Sequence, residues 1–238
     1  MFALVPGASF DFPTDKPRLG LPMQNPVERA LEAVPFCFGE ILVRKFGKSF
    51  LLGHQDEDAQ DDLEMFQNPE DAIEIAKYDD AGNYRPLKTA PNLRHGWRMK
   101  LQSSAELKHA LGHFYPGRLA VFFAWQRGEL RTTSLRETLD RQSGMYRIAA
   151  AISDAQIDDL VADFCHSNGG CLRTILWKRD QHGTIASTKL PIQKFDPTLD
   201  QVQALGRTGS ATGTTVPLLC QESCNLLVAA CRKVVKGE

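Results

Sequence analysis

Apolar and polar positions change period several times along this chain, and each change predicts an element. Between 36 and 54 the pattern is short and strand-like: Phe38-x-x-Ile41-Leu42-Val43, a Phe46-Gly47-Lys48 turn, then Ser49-Phe50-Leu51-Leu52, which reads as a β-hairpin. Asn68-Pro69-Glu70 places an N-cap asparagine before a proline at the first helical position. Ile73, Ile75 and Ala76 would give that helix its inner face up to Tyr78. Asp79-Asp80-Ala81-Gly82-Asn83 predicts a turn, and Pro86 and Pro91 leave 84–97 mostly irregular.

Further on the period is helical. Residues 104–111 predict a short helix ended by Gly112, and the apolar run 116–126 a buried helix stopped by Gly128. Two capping boxes, Ser134-x-x-Glu137 and Ser153-x-x-Gln156, open helices expected to reach Arg141 and Phe164. Residues 145–152 alternate loosely, as a strand does. After a Gly169-Gly170 reversal, 171–177 reads as a strand; 184–216 is Thr-, Gly-, Ser- and Pro-rich and reads as a long loop. An amphipathic helix is expected over about 220–236. The sum is an α+β fold: an extended Pro-rich arm over 1–28, a small hairpin-plus-helix domain over 29–101, and a mainly helical domain over 102–238.

Composition narrows the function. The 238 residues are 42% hydrophobic with a net charge of −1. That is enough apolar material for a core, and no charge asymmetry points to nucleic acid or a membrane surface as partner. No apolar run has the length of a membrane span. The first ten residues lack a basic flank and are broken by Pro6 and Gly7, so they do not read as a signal peptide. A cytoplasmic, reducing location is expected, where six cysteines serve as ligands or buried hydrophobes rather than disulfides. The acidic stretch 56–62 reads as a solvated loop without the glycine-centred spacing of a calcium site. There is neither a G-x-S-x-G nor a P-loop motif, which removes serine-nucleophile and phosphate-loop chemistry.

Four cysteines carry the chemistry: Cys165-x5-Cys171 and Cys220-x3-Cys224. On a helix starting at Cys220, Cys220, Cys224 and Cys231 share one face. Cys224 lies about 6 Å along the axis from Cys220, and Cys231 about 10.5 Å further. One compact centre reaches the first two and not the third, so Cys231 reads as a buried hydrophobe, as does Cys37 between Phe36 and Phe38. Glycines after Cys165 let backbone amides approach sulfur, and a helix N-terminus favours an anionic centre. Four thiolates suit a [4Fe–4S] cluster; zinc, which uses closer knuckles, or unligated thiols are the alternatives.

Other candidates carry two readings each. His166, beside Cys165, either donates to a cluster sulfur or is an exposed loop histidine. His109 and His113 are spaced like a metal pair, but Gly112 intervenes and the sequence offers no third ligand nearby. Arg94, Arg98, Arg136, Arg141, Arg147 and Arg173 either dock anionic groups such as tetrapyrrole carboxylates or pair with Glu137, Asp140 and neighbouring acids. Trp97, Trp125 and Trp177 read as core.

The cysteine pattern resembles the cluster motif of sirohaem-dependent sulfite and nitrite reductases, which would make Cys224 the residue bridging to sirohaem iron. A longer resemblance runs from about residue 36 to the C-terminus. It rests on Asp79-x-x-Gly82-x-Tyr84-Arg85-Pro86-Leu87, Asn92-Leu93-x-x-Gly96-Trp97, Leu135-Arg136-Glu137-Thr138-Leu139-x-Arg141-Gln142-x-Gly144-Met145-Tyr146-Arg147 and Cys171-Leu172-Arg173-x-Ile175-Leu176-Trp177. These segments are similar to the C-terminal region of multi-domain chelatase-like proteins, in which a cobalamin- or sirohaem-type chelatase domain is joined to a stabilising domain and a [4Fe–4S]-binding domain. The resemblance implies a stabilising domain over 29–101 and a cluster on Cys165, Cys171, Cys220 and Cys224. No chelatase segment precedes it in this sequence, so chelatase activity is not expected of this chain alone. The expected function is a cytosolic [4Fe–4S] protein for electron transfer or redox sensing, linked to tetrapyrrole metal chemistry through a redox or chelatase partner. A structural-cluster interaction module and a sirohaem-type reductase are the rivals.

Overall fold

A computed structural model describes residues 35–57, 62–141, 147–165, 171–183, 185 and 214–238. The expected arm over 1–28, His166 and the Gly169-Gly170 reversal lie outside them.

The fold is α+β. The hairpin of the apolar pattern is a meander of β1 (Phe36–Phe38), β2 (Ile41–Phe46) and β3 (Ser49–His54). Phe38 belongs to the first strand and not to β2, because the chain turns at Gly39 with φ +60°. A Cβ there would stand 2.6 Å from the Tyr115 ring, while the next N–H, of Glu40, donates to the Tyr115 hydroxyl at 2.9 Å. Gly39→Ala therefore combines a left-handed backbone with an overpacked contact. It is expected to cost about 3 kcal/mol in urea unfolding of the full chain.

Strands β4 (Glu64–Phe66), β5 (Trp97–Leu101) and β7 (Thr214–Val216) complete a six-stranded sheet in the order β4-β5-β3-β2-β1-β7. β4 and β7 run parallel to their neighbours and the other pairs are antiparallel. The alternation in β5 is clear: Trp97, Met99 and Leu101 are fully buried, with Arg98 and Lys100 between them. The helix opening at Asn68 begins as a 3₁₀ turn, Pro69–Asp71, before α1 (Ala72–Ile75). Its inner face is Ala72, Ile75 and Ala76; Ile73 points out and is 44% exposed.

Helix α2 (Ser104–Phe114) runs through Gly112. A glycine costs about 1 kcal/mol in a helix, and burial of Leu107, Leu111 and Phe114 outweighs it. α3 (Arg118–Gln126) follows. Both helices belong to the first core with the sheet, so the expected boundary at 101/102 falls inside that core.

The second core holds α4 (Leu135–Asp140), α5 (Arg147–Ala150), α6 (Asp154–Cys165) and α7 (Asn225–Lys236). Ser134 accepts from the N–H of Glu137 and Ser153 from that of Gln156; the Gln156 side chain accepts in return from the Ser153 N–H and closes that box, whereas the Glu137 carboxylate pairs with Arg141. Residues 147–150 are helical rather than extended, and α5 packs on α7. The long loop expected to 216 ends earlier, because 214–216 add β7 to the first sheet. Among the described residues no helix is long and apolar enough to cross a membrane.

Candidate metal centre

The two sulfur pairs meet because a small parallel sheet joins them. β6 (Thr174–Ile175) pairs with β8 (Leu219–Cys220), with Thr174 opposite Leu219 and Ile175 opposite Cys220. The N–H of Thr174 donates to Leu218 O at 2.7 Å and that of Leu176 to Cys220 O at 2.9 Å. Cys171 leads into one strand and Cys220 ends the other. Cys165 is the last residue of α6, and Cys224 is the N-cap of α7, which packs on α6. Cys220 is thus on a strand, not on the C-terminal helix as its spacing suggested; residues 221–224 intervene before the helix begins at Asn225. The thiols sense one another. Burial pushes the Cys165 thiol far above its usual range, and Cys171, Cys220 and Cys224 push it further.

Polar hydrogens converge on this sulfur. Trp177 Nε1–H donates to Cys220 Sγ at 3.2 Å. Arg173 Nε–H is shared between Cys171 Sγ at 3.1 Å and Thr89 Oγ1 at 3.0 Å. Thr89 Oγ1 itself lies 2.9 Å from Cys171 Sγ. Burial raises the Cys220 pKa, and the Arg173 charge and the Trp177 hydrogen bond oppose it. A second guanidinium, Arg118, donates to Leu219 O at 2.9 Å. The N-terminus of α7 adds its partial positive charge beside Cys224. Such a donor set suits an electron-rich sulfur centre: thiolates for ligation, with cations and N–H groups to offset its negative charge.

Comparison with known proteins matches each part of the chain to a domain model. Residues 27–129 match the DR2241 stabilising domain, and residues 127–233 match a 4Fe-4S iron-sulfur cluster binding domain. The chain joins a DR2241-type stabilising domain to an iron–sulfur cluster-binding domain. A solved structure from Deinococcus radiodurans, described as a multi-domain protein with structural similarity to chelatases and two additional novel domains, is 28% identical with a TM-score of 0.67. The similarity covers 90% of this chain and 41% of that one, so this chain spans about two-fifths of that protein's length. No curated protein matches it.

The stabilising domain reaches the cluster-binding domain's sulfur loop directly. Thr89 is 4% exposed, and its carbonyl accepts from the N–H of Leu172 at 2.7 Å. Within the cluster-binding domain, Cys231 is fully buried in the second core, and burial pushes its thiol up to about 11. Cys37 lies in β1, opposite Leu42 and Thr215. Among the described residues, no three thiols come within 4.8 Å of one another. Tetrahedral zinc needs sulfurs about 3.8 Å apart, so this set is wider than a single zinc ion requires.

The arginine set divides. Arg94 pairs with Glu64, Arg136 with Asp154 and Arg141 with Glu137, while Arg173 turns to sulfur. The ion-pairing reading holds for those three, and the side chain of Arg147 lies outside the described residues. Trp177, read as core, is buried but also aims its N–H at Cys220. The clue was parity: Cys171, Arg173 and Trp177 are separated by even numbers, as residues on one face of a strand are. Thr89 and Arg118 had no local signal. His109 and His113 do gain a third group: Glu70 lies 3.5 Å and 3.6 Å from their Nε2 atoms, brought there by the 3₁₀ turn.

Proposed function

We propose that Cys165, Cys171, Cys220 and Cys224 hold a [4Fe–4S] cluster and that this cytosolic protein transfers electrons or senses redox state. The observation that carries the reading is the pair of N–H donors, Trp177 and Arg173, aimed at Cys220 and Cys171. When bound, the cluster supplies a one-electron site. Trp177 and Arg173 stabilise added negative charge on sulfur and so favour the reduced state. Cys171 and Cys224 are half-buried whereas Cys165 and Cys220 are buried, which leaves one side within reach of a partner. The likeness to a chelatase-like protein supports a separate chelatase or reductase of tetrapyrrole metal chemistry as that partner. A structural role has its own support, because Cys165 and Cys220 are members of the second core.

Anaerobic purification with iron and sulfide quantitation, followed by dithionite reduction under EPR, tests this. The expected result is about four irons and four sulfides per chain and a reducible cluster. A redox-silent cluster leaves the structural reading, a Soret band would favour a sirohaem enzyme, and a colourless protein with stoichiometric zinc would overturn all three. Trp177→Phe should keep its iron and lower the midpoint potential by about 20–60 mV, one hydrogen bond's free energy for one electron. An unchanged potential would remove the tuning role.

A further inference from the structure

A second constellation lies in the stabilising domain. At the end of β3, His54 is 2% exposed, and its ring rests against that of His95 with centroids 3.9 Å apart. Asp56 completes a trio whose ligand atoms all lie within 4.8 Å of one another. One imidazole is hydrogen-bonded to a carboxylate behind it, and the other faces a carboxylate. His95 Nδ1 is hydrogen-bonded to Asp80 Oδ2, and the His95 N–H donates to the other Asp80 oxygen at 2.6 Å. Asp80 accepts the ring proton, so His95 Nε2 keeps its lone pair. His54 Nδ1 accepts a long bond, 3.3 Å, from the N–H of Asp56. Its lone pair is therefore on Nδ1, where a metal would have to displace that long bond, and the proton is on Nε2, which faces Glu40 Oε1 at 3.6 Å and has no hydrogen-bond partner. Asp56 Oδ2 lies 3.7 Å from His54 Nδ1, on a side chain 71% exposed. Glu57 is not part of the trio: both its oxygens accept from the N–H of Gly96.

A carboxylate behind a histidine fixes its tautomer and raises its basicity toward a metal. Two imidazoles and one carboxylate with open positions suit a first-row divalent ion. We propose that His54 Nδ1, His95 Nε2 and Asp56 bind one such ion, distinct from the cysteine centre, with Glu40 and Asp80 as positioning residues. The ion would clip the end of β3 to the 78–96 loop. Tetrahedral donors stand about 3.3 Å apart, so the trio must draw in by on the order of 1 Å. The exposed Asp56 can supply that movement.

The test uses the full, cluster-loaded chain in a His109→Ala/His113→Ala background, which removes the exposed trio with Glu70. After a chelator wash the protein is titrated with zinc, and retained zinc and iron are measured on one sample. One zinc per chain is expected, with a melting temperature about 5–10 °C higher when zinc is at a hundred times its dissociation constant. His95→Ala and Asp56→Asn, both at solvent-facing side chains, should weaken zinc binding more than about 100-fold with iron unchanged, and Asp80→Asn about 10-fold. No retained zinc in the parent, zinc binding unaltered by His95→Ala, or zinc gained only as iron is lost would each overturn the assignment. The last outcome would place the zinc at the cysteines. Neither His54 nor Glu40 needs to be altered, so a folding failure in the buried network cannot imitate the result.

Discussion

Cys220→Ser is expected to strip the protein of nearly all its iron, and Cys231→Ser, on the same C-terminal segment, to leave the iron in place. Cys220 ends β8, receives the Trp177 N–H, and lies within reach of the Arg173 guanidinium, 3.9 Å from Sγ. Cys231 lies within α7, fully buried in the second core and seven residues, about 10.5 Å along the axis, beyond Cys224. Serine is a poor iron ligand, and a cluster ligated only by the native fold stabilises that fold by mass action. At a thousand times the dissociation constant the stabilisation is about 4 kcal/mol. The second core, which counts Cys165 and Cys220 among its members, should therefore melt earlier in Cys220→Ser. Iron quantitation and near-UV circular dichroism on both variants check this. Cys224→Ser should behave like Cys220→Ser and lose solubility. Equal iron in Cys220→Ser and Cys231→Ser would sink the ligand assignment.

Arg85→Met should destabilise the stabilising domain by about 3–5 kcal/mol, the cost of stranding a buried charge partner. Arg85 is 2% exposed. Nε donates to Asn92 Oδ1 at 2.8 Å, Nη1 to Ala76 O at 3.1 Å, and Nη2 to Lys88 O and Ala90 O at 3.2 and 2.9 Å. Its Nη2 also lies 4.0 Å from Glu40 Oε2, which accepts from the N–H of Leu93. One side chain thus holds together the irregular stretch that two prolines keep out of regular structure. Methionine fills much of the volume and satisfies none of these carbonyls. The consequence extends beyond stability, because Thr89 sits in the same stretch and touches Cys171. Slower cluster loading should accompany the loss. Urea unfolding with iron uptake as a second readout measures both. The double variant Arg85→Met/Glu40→Gln should recover part of the deficit, since it removes the stranded charge. A single variant within 1 kcal/mol of the parent would show that the guanidinium network is dispensable.

Two histidine sites show how distance in sequence limits what a local pattern can reveal. His109 and His113 were visible as an i, i+4 pair, but Glu70 reaches them only because the 3₁₀ turn at Pro69 packs on α2. His54 and His95 are 41 residues apart, and no periodicity links them. The cysteines behave alike. Their type and pairing suggested one thiolate centre, yet Cys220 was misplaced on a helix because an apolar, helix-compatible run does not reveal where the helix starts. Pairing of β6 with β8 drew Cys220 into a strand and left Cys224 to cap α7.

Short-range physics was legible in the amino-acid order alone. The turn at Gly47, the asparagine and serine caps, the helices around 118–126 and 154–165, and the close spacing within each cysteine pair all depend on neighbours a few residues away. Tertiary structure decided the rest: the strand order, the helical state of 147–150, the addition of β7 to β1, and the donors Thr89, Arg173 and Trp177 around sulfur. Those outcomes depend on which distant segments bury apolar area and backbone hydrogen bonds against each other. That free energy belongs to pairs of segments, so neither segment read singly contains it.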